Sequence, residues 1–194
     1  MEKIRVLVIE RQTVYREGVR AILSHESDIE VIDGAERDEE ILAQIQMISP
    51  DVVIFAPESS TSAGFTLLRQ IKQYSRALPV VVLAEPQNQE ALLLSIKTGA
   101  AAYLTKSAAS EEIIKAVRET HQGEYLINEK LFSNPRIASQ VLSLFQDMTM
   151  PGEEAGPFLA PLSPREIDVL NLIAKGKSNK DIAREFSILS LIHI

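Results

Sequence analysis

Short runs that are apolar throughout alternate with longer stretches of mixed character along the first part of the chain. The runs are Ile4–Ile9, Ile29–Ile32, Val52–Phe55, Pro79–Ala84 and Ala101–Leu104, rich in Val and Ile. Runs without polar alternation predict strands covered on both faces, as in a parallel sheet. Between them Val14–Leu23, Glu39–Met47, Phe65–Tyr74, Gln89–Lys97 and Glu111–His121 return apolar residues at helical spacing. Gly99 follows the fourth helical stretch like a C-terminal cap, and Ser110 before Glu111 and Glu112 predicts an N-cap with first-turn acids. Strand–helix units repeated in this order predict an α/β fold, a five-stranded parallel, doubly wound sandwich with right-handed crossovers.

The pattern changes after residue 125. Ser133–Met148 carries Ile137, Val141, Leu144 and Phe145 at helical spacing. Met150–Pro161 (MPGEEAGPFLAP) holds three prolines and two glycines, which predicts an interdomain linker. Ser163, Pro164 and Glu166 then have the form of a capping box, opening a helix that buries Ile167, Leu170 and Ile173 and stops near Gly176. Ser178 is placed to cap a second helix, Asn179–Phe186. Two short helices across a glycine-containing turn predict the opening of a helix-turn-helix. The expected division is therefore 1–125, an α/β domain; 126–161, a linker helix and flexible linker; and 162–194, a partial all-α helix-turn-helix.

Composition narrows the function. The content is 45% hydrophobic and 24% charged, enough for a packed core, and there is no cysteine, which removes thiol chemistry and thiolate metal sites. Met1–Arg5 leads straight into a strand without the pattern of a signal peptide, and no apolar run approaches the roughly 20 residues that cross a bilayer. The expectation is a cytoplasmic protein without a membrane segment. The net charge is −7, yet from Leu162 onward five basic residues face four acidic ones, so the acidity lies upstream and a local DNA-reading element remains compatible.

The chemistry of enzymes is not suggested. Gly176-Lys177-Ser178 lacks the earlier glycine and preceding strand of a phosphate-binding loop, because Asn171 stands where that glycine would be. His25, His121 and His193 are scattered, with no metal-ligand spacing and no nucleophile–base partner. The expectation is no catalytic residue, no metal and no cofactor. An enzyme of flavodoxin-like fold would need convergent titratable groups, and only Glu10 and Lys106 stand at strand ends.

Two segments carry a family resemblance. LSPREIDVLNLIAKGKSNKDIARE, Leu162–Glu185, resembles the first half of a LuxR-type helix-turn-helix. IRVLVIERQTVYREGVRAIL, PDVVIF and KTGAAAYLTK resemble the landmarks of a receiver domain. Together they resemble the NarL/FixJ family of two-domain transcriptional response regulators. The resemblance implies a pocket at the strand C-termini in which two acids hold Mg²⁺ and an aspartate accepts a phosphoryl group. A Ser or Thr then binds that group and a Lys pairs with it.

Carried over without gaps, the resemblance puts Glu10 and Arg11 at the acid pair, Ala56 at the acceptor, Ala84 at the hydroxyl and Lys106 at the lysine. Arg11 brings a fixed positive charge to the metal position, and Ala56 has no oxygen to phosphorylate. Asp51, the nearest aspartate, opens the strand in the usual Pro-Asp pair, and Glu58 is expected to face elsewhere. Lys106 is expected either to pair with Glu10 or to sit exposed at a loop. Arg11 either bridges Glu10 or Glu58 or is solvated. Tyr103 stands at the family's aromatic switch, and with Ala84 in place of a hydroxyl it is expected to be uncoupled and held in one rotamer.

Lys177, Asn179 and Lys180 are candidates for DNA phosphate contacts at a helix start. The residues 186–194 are apolar, contain no Arg or Lys, and do not resemble the base-reading helix that follows in the family. The expected function is a phosphorylation-independent transcriptional response regulator, a pseudo-receiver whose DNA-binding domain is incomplete in this chain. The expected partners are DNA for the full-length parent, a second copy in a homodimer, and a histidine kinase or other regulator. The alternative is a protein-interaction or dimerisation module that sequesters a signalling partner without binding DNA.

Overall fold

The computed structural model describes residues 3–35, 37–86, 88–127, 135, 138–140, 164–177 and 179–186. They divide after Ile127 into two compact units. In the first, strands and helices alternate: β1 (Ile4–Ile9), α1 (Thr13–Ser24), β2 (Ile29–Asp33), α2 (Asp38–Ile48), β3 (Val52–Phe55), α3 (Thr66–Tyr74), β4 (Val80–Ala84), α4 (Gln89–Lys97), β5 (Ala102–Thr105) and α5 (Ser110–His121). The strands pair in parallel in the order β2-β1-β3-β4-β5. The order reverses beside β1, so the strand C-termini of β1 and β3 open a crevice, the usual ligand position in such sheets.

Apolar continuity has its expected meaning in the centre of the sheet. Every residue of β3 and β4 is buried, whereas edge strand β2 exposes Glu30 and leaves Val31 and Ile32 half-buried. The core gathers Val6, Val8, Leu23, Ile54, Leu83 and Val117 from the sheet, α1 and α5. Truncating Ile54 to alanine in such packing costs about 2–5 kcal/mol.

The helix ends show local physics at work. Gly99 takes φ 77 just after α4, a left-handed conformation that glycine adopts at little cost. Ser110 is the first residue of α5 and not its N-cap. That place belongs to Ala109, whose N–H donates to the Glu112 carboxylate at 3.0 Å, which is half of a capping box without a side-chain acceptor at the cap itself. Arg118 of α5 grips Asp28 and Glu26 at 2.7 and 2.6 Å, fastening α5 to the α1–β2 turn. Buried Lys72 closes the end of α3 by donating to the carbonyls of Arg76 at 2.6 Å and Leu78 at 3.0 Å. Burial pushes the Lys72 ammonium down from 10.5 to about 8.

The second unit contains α6 (Pro164–Ala174) and α7 (Asn179–Glu185). Gly176 ends the first at φ 72, its N–H bonded to the Ile173 carbonyl at 2.8 Å. Leu170, Ile173 and Ile182 are buried, and the Arg165 guanidinium lies 5.7 Å from the Phe186 ring centre. Of the helix expected over Ser133–Met148, only 135 and 138–140 are described, and these are helical. The linker 150–161, the capping residues Ser163 and Ser178, the side chain of Ile167 and the tail 187–194 lie outside the described residues.

Candidate functional site

The β-ladders place the pocket residues before any side-chain contact does. Ala56 N–H donates to the Ile9 carbonyl at 2.9 Å, and Lys106 N–H donates to the Ala84 carbonyl at 2.7 Å. Glu10 and Arg11 follow β1, Ala56 follows β3, Ala84 ends β4 and Lys106 follows β5, so all five meet at one end of the sheet. Ala56 and Ala84 are both buried and offer only methyl groups there.

Lys106 is enclosed by the chain itself. Its Nζ lies 2.9 Å from Glu10 Oε2, an ion pair whose side chains are only 11% and 4% exposed. Glu85 stands 3.5 Å away on the solvent side, and the Tyr15 ring covers the ammonium at 4.9 Å. The Tyr15 hydroxyl donates to the Lys106 carbonyl at 3.1 Å. Burial, then the charges of Glu10 and Glu85, raise the Tyr15 phenol above its ordinary value. The second Glu10 oxygen accepts the Gln12 N–H at 2.7 Å. One Glu10 oxygen is thus held by a hydrogen bond from Gln12 and the other by the charge of Lys106.

Arg11 points away from Glu10. Its guanidinium bonds Asp38 Oδ1 at 2.8 Å and Glu58 Oε1 at 2.9 Å, joining the β1–α1 turn, the start of α2 and the β3–α3 loop. Of the alternatives for Arg11 the structure takes the bridge to Glu58 and not the one to Glu10, so Glu58 does not face elsewhere: Arg11 draws its carboxylate to the pocket mouth. The pair is half in solvent, so it orients the loops more than it stabilises the fold. A cavity of about 80 Å³ lies behind it, lined by Ile9, Phe55, Ala56, Gly64 and Leu67 together with these charged residues. Asp51 is spent elsewhere: it accepts the Arg5 N–H at 2.8 Å at the opposite end of the strand.

The residues do not fit Mg²⁺. A hard dication needs several free oxygen ligands, and here one carboxylate is neutralised by lysine, the next position is a guanidinium and the third is a methyl group. Among the described residues, no three His, Asp or Glu side chains are gathered as metal ligands.

Tyr103 is buried, and its hydroxyl donates to the Asn88 carbonyl at 3.0 Å. Burial pushes its phenol above the ordinary value. Tyr15, Asp38 and Asn88 escaped the sequence reading. Only Asn88 had a signal, an Asn immediately before a helical stretch, and it does cap α4 by accepting the Ala91 N–H. Lys177 is exposed in the turn between α6 and α7. Asn179 and Lys180 begin α7, and their side chains lie outside the described residues.

Comparison with known proteins agrees with this architecture. Residues 6–118 match the response regulator receiver domain, and residues 160–190 match the bacterial regulatory proteins of the luxR family. The chain is 32% identical to the transcriptional regulatory protein LiaR of Bacillus subtilis over 95% of its own length and 83% of that protein. It is 28% identical to the nitrate/nitrite response regulator NarL of Escherichia coli, covering 96% of this chain and 82% of that one. The crystal structure of the response regulator ChrA, from a haem-sensing two-component system, superposes with a TM-score of 0.54 at 27% identity, covering 96% of this chain and 83% of that one. Among the described residues, no helix is long and apolar enough to cross a membrane.

Proposed function

Because this chain belongs to the NarL/FixJ family of transcriptional response regulators, we propose that its receiver controls transcription in the cytoplasm without phosphorylation at position 56. The observation that carries the reading is the buried Lys106–Glu10 pair beside Ala56. In a working pocket the lysine neutralises an incoming phosphoryl group and the acid helps hold its metal. Here each neutralises the other, and no oxygen stands at 56 to receive the group. The pocket is a pseudo-receiver held in one signalling state.

Control then passes to whatever changes the protein's abundance or its contacts, with a second copy of the chain and a partner such as a histidine kinase as the expected interactions. Lys177, Asn179 and Lys180, around the turn into α7, are the candidate contacts to DNA phosphates. The decisive experiment incubates the protein with acetyl phosphate, or with beryllofluoride, in the presence of Mg²⁺. Intact mass is expected to stay unchanged, and NMR shifts around Ala56 are expected not to move. A phosphoryl adduct, or saturable shifts centred on Ala56, would overturn the reading.

A further inference from the structure

Tyr103 and the mouth of the pocket are joined through one residue, Asn88. Its main-chain carbonyl accepts the Tyr103 hydroxyl at 3.0 Å. Its Oδ1 accepts the Ala91 N–H at 3.0 Å and so caps α4. Its Nδ2 donates to Ser60 Oγ in the β3–α3 loop. The same loop carries Glu58, which Arg11 holds together with Asp38. A continuous set of contacts therefore runs from Asp38 through Arg11, Glu58 and the loop to Ser60, Asn88 and Tyr103.

We propose that Asn88 is the positioning residue that ties the β4–α4 segment to the β3–α3 loop and thereby keeps Tyr103 packed inward. The physical reason lies in the nature of Tyr103's partner. A buried phenol needs an acceptor, and this one is a backbone carbonyl in a connecting segment, so the ring is only as well held as that segment. Ala84 cannot help, since a methyl group neither donates nor accepts. The Asn88 side chain supplies the missing restraint from both ends: its oxygen is fixed to the first turn of α4 and its nitrogen to the loop across the crevice. The consequence for signalling rests on the reading of the receiver as held in one state, whereas the positioning role of Asn88 does not.

The test uses the full chain labelled with ¹³C-tyrosine, with the Tyr103 ring signal assigned through Tyr103→Phe. Ser60→Ala removes the loop partner while leaving the α4 cap intact. It is expected to shift and broaden the Tyr103 resonance and to move its phenol titration down toward the ordinary 10.0, with thermal unfolding unchanged. Asn88→Ala loses tie and cap together and is expected to show a larger shift. Asn88→Asp keeps the cap and lets the Ser60 hydroxyl donate to its free oxygen, so it is expected to restore the original signal. An unchanged Tyr103 signal in Ser60→Ala and Asn88→Ala, or an Asn88→Asp protein that behaves like Asn88→Ala, overturns the proposal. Saturable beryllofluoride shifts in the unmodified protein would instead overturn the phosphorylation-independent reading, and the two failures are separately visible.

Discussion

Lys106 Nζ sits 2.9 Å from Glu10 Oε2 inside the pocket, with Tyr15 closing over it. Neither charge is paired by solvent, so each depends on the other. Lys106→Met leaves a buried carboxylate with one N–H donor, and Glu10→Gln leaves an ammonium facing only Glu85 at the solvent edge. Each single change is expected to lower unfolding stability by about 3 kcal/mol, because breaking one side of a buried pair strands the other. The double change is expected to cost less than the sum by about 1–3 kcal/mol, measured as a double-mutant cycle in urea. Additive losses would show that the pair is not coupled.

The fold was legible because its signals are local. Ile4–Ile9, Val52–Phe55 and Gln89–Lys97 have the boundaries that their apolar pattern predicts. Ser110 misled because a serine beside two glutamates satisfies the capping rule in sequence, while the chain turns one residue earlier and Glu112 alone completes the contact. The meeting of residues at the strand ends follows from the topology. Which cation takes which acid follows only in part: Lys106 on Glu10 and Arg11 on Glu58 stand among the alternatives the sequence offers, and Asp38 does not. Arg11 had Glu10 as its nearest acid along the chain, yet it chose Asp38, a residue 27 positions away that α2 delivers to the pocket mouth. Asn88's tie to Ser60 is of the same kind, spanning 28 positions that no periodicity connects.

Lys72 makes stability depend on alkaline pH. Its folded value of about 8 lies below the ordinary 10.5, so between them the unfolded chain binds the proton more tightly than the folded one. Stability is therefore expected to rise as pH increases from about 8 to 10.5, by an amount of order 3 kcal/mol at most. Lys72→Met is expected to flatten that limb in urea melts taken across the range. A limb of equal slope in the variant would assign it to another group.

Arg118 governs the acid side. Its hydrogen bonds to Asp28 hold that carboxyl below the usual carboxylate range. The stabilisation is complete above the unfolded carboxylate value and is lost as pH falls through the lowered folded one. Arg118→Ala is expected to reduce the urea midpoint at neutral pH and to narrow the gap from the unmodified protein as the medium is acidified. Parallel curves at every pH would mean that the contact contributes through packing and not through charge.

Arg11 and Ala56 separate the two obstacles to phosphoryl chemistry. Ala56→Asp supplies an acceptor oxygen but leaves the Arg11 guanidinium at the pocket mouth beside the place a metal would take, so acetyl phosphate with Mg²⁺ is expected to give no adduct. Adding Arg11→Asp removes the fixed cation and restores an acid pair, which frees Asp38 and Glu58 as well. With an acid pair present, Mg²⁺ competes with Lys106 for Glu10 and releases the lysine for the phosphoryl group, so the double variant is expected to bind Mg²⁺ by NMR titration and to gain one phosphoryl group by intact mass. Adduct formation in Ala56→Asp alone, at the rate of the double variant, would show that Arg11 does not exclude the metal. The proposed independence from phosphorylation would then rest on the missing acceptor alone, since the electrostatic barrier would have been shown not to operate.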